Sequence, residues 1–217
     1  MSQQNILIIG ANGGIGRRSV EIALAAGHHV TAVLRTPEKL PLTHPQLEKV
    51  KGDIMYPETF EKHIAYHDGV ISALGVKGGF FSDKPTTLYS KGNANLIRLM
   101  QQRNMKRAYF ISASAIEISP VMPFLARVAA KYIVQKLLRH MYADLREMER
   151  LVKESSLDWT IIRPPRLTNK PVTGKYRYSV NSFLKNSLSI SRADVAHFMI
   201  NNICNKEIYQ AMVEIAK

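Results

Sequence analysis

Asn5-Ile6-Leu7-Ile8-Ile9-Gly10-Ala11-Asn12-Gly13-Gly14-Ile15-Gly16 decides how this chain folds. Its first half is a continuous, β-branched apolar run closed by glycine, the pattern of a strand buried on both faces. Glycines then recur at G-x-x-G-x-x-G spacing. Residues 15–26 have the apolar spacing of a helix, and Gly27 stands where a C-cap belongs. A strand that turns through glycines directly into a helix opens a β-α-β unit. In such a turn Gly10 permits the tight bend, Gly13 lets backbone approach a pyrophosphate, and Gly16 lets helix and sheet pack closely. The phosphates sit at the positive end of the helix dipole. Asn12, Gly14 and Ile15 belong to the same turn and are expected to contact a dinucleotide there.

Further strands are predicted over residues 29–35, 47–51, 69–74, 108–112, 159–163 and 212–215. Helical spacing covers 57–65, 86–103 and 123–155, the last with some break. Residues 170–188 read as irregular or short-stranded, and Ser191 can cap a helix to about residue 203 with Asp194 in its first turn. Strands alternating with helices predict right-handed crossovers and a parallel sheet covered on both faces. The expected class is therefore α/β, a single-domain Rossmann-like doubly wound parallel sheet over residues 1–217. A small C-terminal portion, about 164–190, is expected to face the substrate.

Composition narrows the partners. With 217 residues, 46% hydrophobic and 22% charged, the chain supports one ordinary core. A single cysteine, Cys204, excludes a disulfide within the chain and makes a cytoplasmic setting the natural expectation. Cys204 itself, following Ile203, reads as a buried apolar residue. The run 6–9 is too short for a signal-peptide core, and no apolar run approaches the roughly 18 residues of a membrane span. A formal charge of +13 favours anionic partners: nucleic acid, an acidic membrane surface or phosphorylated small molecules. The basic residues are spread along the chain, and the denser stretch 127–150 also holds Asp144, Glu147 and Glu149 at helical spacing. Without zinc-finger spacing or an RNA-binding signature, nucleic acid is not expected. The histidines show no metal-ligand spacing, so no metal is expected.

The end of the second predicted strand bears on the nucleotide. An acidic residue there would hydrogen-bond the 2′-hydroxyl of NAD. Arg35 occupies the place instead, and arginine suits a 2′-phosphate, which favours NADP(H) over NAD(H). Arg17 and Arg18 are expected to add positive potential. Asp53, followed by Ile54, falls where an adenine edge rests, or serves as a turn cap. Leu74 and Gly75 end the fourth strand and should line a cleft beyond the carboxyl ends of the strands. One Tyr-x-x-x-Lys pattern exists, Tyr132 with Lys136, in which lysine would lower the phenol pKa for proton exchange. Spacing back from the sixth strand points instead to Tyr142, whose partner is Arg146. Phe80 and Phe81 suit either a lid over a planar substrate or satellite packing.

The glycine-rich turn, Arg35, Gly52-Asp53, Ser112-Ala113-Ser114 and Leu157-Asp158-Trp159-Thr160-Ile161-Ile162-Arg163-Pro164-Pro165 together resemble an atypical short-chain dehydrogenase/reductase. With Pro171-Val172-Thr173-Gly174-Lys175-Tyr176 and Ser191-Arg192-Ala193-Asp194-Val195-Ala196, the chain is similar to the NADPH-dependent flavin reductase and biliverdin-IXβ reductase group, close to the NmrA-like proteins. That resemblance implies a monomer or small homo-oligomer that delivers hydride to a planar conjugated acceptor: a flavin, quinone or tetrapyrrole. It implies that Ser112 and Ser114 approach the nicotinamide and that Pro164 and Pro165 lie beside it. The sequence departs from the group at two histidines, replaced here by Arg166 and, near the middle of the long helix, Leu145. Arg166 is read instead as a contact for an anionic acceptor. Two alternatives stay open: a non-catalytic NADP(H)-binding regulator of the NmrA type, and an epimerase or dehydratase, which a working Tyr132/Lys136 pair would favour.

Overall fold

The computed structural model describes residues 2–64, 67–76, 85–121, 127, 128 and 130–217. Phe80 and Phe81 lie outside them. The first strand, β1, is Asn5–Ile9, and helix α1 follows as Gly14–Ala25. Then come β2 (His29–Leu34), β3 (Leu47–Lys51), β4 (Gly69–Ser72), α2 (Leu88–Gln102), β5 (Arg107–Ile111), α3 (Arg139–Lys153) and β6 (Asp158–Arg163). The remainder comprises β7 (Arg166–Thr168), β8 (Arg177–Val180), β9 (Ser189–Ser191), α4 (Arg192–Asn201) and β10 (Ala211–Ala216).

Eight strands form one sheet in the order β3-β2-β1-β4-β5-β6-β10-β8. Every pairing is parallel except β10 with the edge strand β8. Strands β7 and β9 make a separate parallel pair. Because β2 and β3 lie on one side of β1, and β4 to β6 on the other, the order reverses between β1 and β4. Loops diverge at such a switch point and leave a crevice at the carboxyl ends of the strands.

Strand alternation divides the core. Leu7 and Ile9 of β1 join Leu96, Met100, Leu145 and Met148 beneath α2 and α3. Ile6 and Ile8 join Val20, Ala23, Val195 and Met199 beneath α1 and α4. A strand with apolar residues at both parities needs a helical layer on each side. This is a single-domain, Rossmann-like doubly wound fold.

Three expectations are corrected in detail. The helix expected over 57–65 is two 3₁₀ turns, Pro57–Thr59 and Glu61–His63, interrupted so that Phe60 and Ile64 can both enter the core. In the stretch expected as a long helix, the described residues form a π-helical turn, Ala130–Val134, and one α-turn, Gln135–Leu137. Leu138 then breaks out of helical geometry before α3. Cys204 is exposed rather than buried: α4 has already ended, Ile203 takes the buried place, and the thiol donates weakly to Gln4 Oε1 at 3.5 Å.

Candidate functional site

At the switch point lies a cleft of about 560 Å³. Of the residues read as nucleotide contacts, Gly10, Asn12, Gly13, Gly14, Ile15, Arg35, Asp53, Ile54, Leu74, Gly75 and Ser112 line it. Gly10 has φ of +80°, and a Cβ there would stand 2.5 Å from the Ala73 carbonyl oxygen. Both facts restrict the position to glycine. Gly16 does not line the cleft; a Cβ there would overlap the Gly10 backbone, so it serves the close packing of α1 on β1.

The N-terminus of α1 is built for an anion. Its N-cap is Gly13, no side chain caps it, and no acidic residue stands in its first turn. Unpaired helix N–H groups and the dipole therefore face the cleft with no acidic side chain of the first turn to neutralise them. These features fit a dinucleotide diphosphate. Asn12 Nδ2 donates to the Thr36 carbonyl at 3.1 Å and so ties the glycine-rich turn to the loop beyond β2. Asp53 does two jobs: its Oδ1 accepts from Met55 N at 3.0 Å while the residue still lines the cleft.

The charge of the cleft is lopsided. Arg35, Lys39 and Arg192 line it, against the single carboxylate of Asp53 among the described lining residues. Lys39 closes the 3₁₀ turn Pro37–Lys39, four residues beyond Arg35. Arg192 reaches across from α4 and lies over Gly14, where any Cβ would overlap its side chain; its Nη1 donates to Asn169 Oδ1 at 2.8 Å. Arg17 and Arg18 do not contribute as expected. Both face solvent on α1 and share Glu21, at 3.0 and 2.6 Å.

The other end of the cleft is apolar. Ile111, Ala113, Met141, Leu145 and Leu167 wall it, together with Tyr89 from the first turn of α2. Burial raises the Tyr89 phenol above its ordinary pKa, although a hydrogen bond with the Val76 backbone opposes this. Ser112 Oγ donates to Glu149 Oε1 at 2.7 Å. Glu149 also accepts from Arg163 Nε at 2.9 Å and Nη2 at 2.6 Å, and Arg163 Nη1 reaches Glu117 at 2.8 Å. Burial works against the Arg163 charge, but the two carboxylates more than offset it and hold the guanidinium protonated. With its proton committed to a carboxylate, Ser112 offers the cleft lone pairs rather than a donor.

The remaining candidates lie elsewhere. Ser114 N donates to the Pro164 carbonyl at 3.1 Å, which stitches β5 to β6 behind the cleft; neither residue lines it. Arg166 is exposed at the start of β7, and strand alternation gives the cleft wall to its neighbour Leu167. Tyr132 and Lys136 are exposed, and neither lines the cleft. Tyr142 is buried in the core, its phenol pushed up to about 12 by that burial against the pull of Arg146. Sequence reading missed Lys39, Tyr89, Met141 and Arg192. No local spacing marks any of the four as a cleft residue.

Comparisons with known proteins agree with this geometry. A family model described as NAD(P)H-binding matches residues 10–206. An uncharacterized sugar epimerase of Bacillus subtilis, YhfK, is 29% identical over 93% of this chain and 88% of its own. A short-chain dehydrogenase/reductase from Veillonella parvula, solved in complex with NADP, has the same fold at TM-score 0.80. It is 18% identical and covers 100% of this chain and 95% of its own. ChuY, an anaerobilin reductase from Escherichia coli O157:H7, superposes at TM-score 0.74 with 21% identity, covering 98% and 96%.

Proposed function

This chain belongs to the NAD(P)H-binding family, and from that premise we propose that it is an NADPH-dependent reductase delivering hydride to a planar conjugated acceptor: a flavin, quinone or tetrapyrrole. One observation carries the reading. The chemistry end of the cleft is walled by Ala113, Met141, Leu145 and Leu167 with the Tyr89 phenol beside them, and neither Tyr132 nor Lys136 lines it.

The reduced nicotinamide supplies the hydride. The N-terminus of α1, with Gly13 and Gly14, holds the diphosphate, and Arg192 closes over it. Arg35 and Lys39 hold the 2′-phosphate, and Asp53 and Ile54 border the adenine. Leu74 and Gly75 would border the nicotinamide half. Ser112, fixed by Glu149, would accept a hydrogen bond from the carboxamide N–H₂. The apolar wall excludes water and stacks the acceptor in hydride range. Proximity and orientation of this kind can supply much of a rate, with solvent returning the proton. An alcohol or sugar substrate would need a proton exchanger; among the described lining residues at this end only Tyr89 carries a titratable group, and burial raises its pKa. The name of a tetrapyrrole reductase among the structural neighbours supports the acceptor class.

The test is NADPH and NADH oxidation, followed by nicotinamide absorbance, with FMN, riboflavin, a simple quinone and biliverdin, beside a binding titration of both nucleotides. Tighter binding of NADPH and turnover with at least one acceptor are expected. Tight binding without turnover on any would favour the regulator, and failure to bind either nucleotide would overturn the reading.

A further inference from the structure

Beside the cleft lies a helical segment with apolar side chains on both a buried face and an exposed one. Inward, Val134 and Leu138 pack on the core that holds Ala113, Ile116 and Met141. Gln135 Nε2 donates to the Ala115 and Ile116 carbonyls at 3.4 and 3.2 Å, close to Ala113 of the cleft wall. Outward, Val128, Ile133 and Leu137 are 39, 64 and 51% exposed, and Tyr132 is exposed with them. Elsewhere among the described residues, the exposed large apolar side chains are Tyr56, Val121, Val172, Tyr178 and Leu188. A cluster of exposed apolar side chains on a helix ordinarily marks a surface that something covers.

The charges around this face select the covering. Between residues 118 and 143 the sequence has no aspartate or glutamate, but it has Arg127, Lys131, Lys136 and Arg139. A second copy of the chain would bring these cations against themselves, on a protein already at +13. An anionic lipid surface meets both demands. Acyl chains accept valine, isoleucine and leucine, and headgroup phosphates accept arginine and lysine.

We propose that this segment, with Val128, Ile133 and Leu137 inserted and Arg127 and Arg139 at the headgroups, docks the protein on anionic membranes. Docking there brings the bilayer beside the cleft wall at Ala113, from which a lipid-dissolved acceptor such as a long-chain quinone can enter. That second step rests on the reading of the cleft as a hydride-transfer site; the docking itself does not.

The experiment is co-sedimentation of the full chain with vesicles of phosphatidylcholine alone and of phosphatidylcholine mixed with phosphatidylglycerol, at low and high salt. Partition onto the anionic vesicles only, weakened by salt, is expected. Each exposed basic residue removed should weaken it about five-fold, so Arg127→Gln with Arg139→Gln should cost about 25-fold. Ile133→Ser with Leu137→Ser should cost at least about ten-fold, with NADPH affinity unchanged. No partition of the wild type would overturn the docking, and so would wild-type partition of the Ile133/Leu137 variant. A wild-type dimer in light scattering that this variant dissociates would also overturn it, by giving the face to a second copy. For the delivery step, the variant should lose turnover of a lipid-dissolved quinone while keeping that of a water-soluble one. An unchanged ratio would refute delivery alone. If the wild type binds no NADPH, the hydride reading fails while the vesicle result still decides the docking.

Discussion

Two glycines four residues apart do different work, and substitution separates them. Ala at Gly10 must adopt a positive φ and meet the Ala73 carbonyl, backbone that cannot move aside. Gly10→Ala is expected to cost at least about 2 kcal/mol of stability and to abolish nucleotide binding. At Gly14 the obstacle is only the Arg192 side chain, which can swing away. Gly14→Ala should leave the melting temperature nearly unchanged but weaken NADPH about ten-fold, matching Arg192→Ala, as expected for one lost charge-assisted hydrogen bond. Equal effects of Gly14→Ala on stability and affinity would remove Arg192 from the proposed diphosphate contacts. The Gly10 requirement was legible because a bend between strand and helix leaves few choices of residue. Arg192 was not, because it reaches Gly14 from the far end of the chain and no local spacing encodes that meeting. The sequence reading also placed Arg17 and Arg18 near the phosphates by proximity along α1, but their ion pairs with Glu21 on the solvent face turn them away.

At the scale of elements, α4 is fixed by one carboxylate. Asp194 accepts from Thr173 N at 2.7 Å and Gly174 N at 3.0 Å, and from Ser191 Oγ at 2.8 Å, while Ser191 Oγ accepts from Asp194 N as the N-cap. Burial alone would raise this carboxyl, but those hydrogen bonds outweigh it and hold its pKa below the ordinary value. A depressed carboxyl contributes stability above its unfolded pKa, near 3.9, and loses it as pH falls through the folded value. Asp194→Asn should therefore cost about 2 kcal/mol at pH 7, and denaturant titrations should show the gap closing below about pH 4. A gap that persisted at pH 2 would assign the effect to packing instead. The cap itself was readable from Ser191 and Asp194; the anchoring of the 173–174 turn was not, since it joins segments separated in sequence. The parallel strands of the main sheet were predicted to within about two residues because buried parallel strands are mostly apolar runs, whereas the small pair β7 and β9 was not expected. The helices were predicted less well. Phe60 and Ile64 break the pattern of their segment to reach the core, and Leu138 breaks that of another, and periodicity registers neither event.

For the molecule as a whole, a nucleotide bound only by the folded state must stabilise it. At a hundred times its dissociation constant the gain is about 2.7 kcal/mol, or a melting temperature raised by roughly 5–10 °C for a chain of this size. NADPH should produce that shift, and NADH at the same concentration a markedly smaller one, because Arg35 and Lys39 find no 2′-phosphate. Equal shifts would mean that these cations do not discriminate. The fold class was legible from the alternation of strands and helices, and half the cleft with it. The apolar half was not, because it is assembled from α2, α3 and β7, each of which reads as ordinary core. One packing relation bears on the order of synthesis. Helix α1 leans on α4, which begins about 180 residues later in the chain. At translation speeds of about 5–20 residues per second, the glycine-rich turn emerges and then waits on the order of ten to forty seconds for its buttress. Until then the buried face of α1 lacks the α4 part of its shared core, and Arg192 is not yet there to close over Gly14. The cleft is therefore finished only when most of the chain has been made.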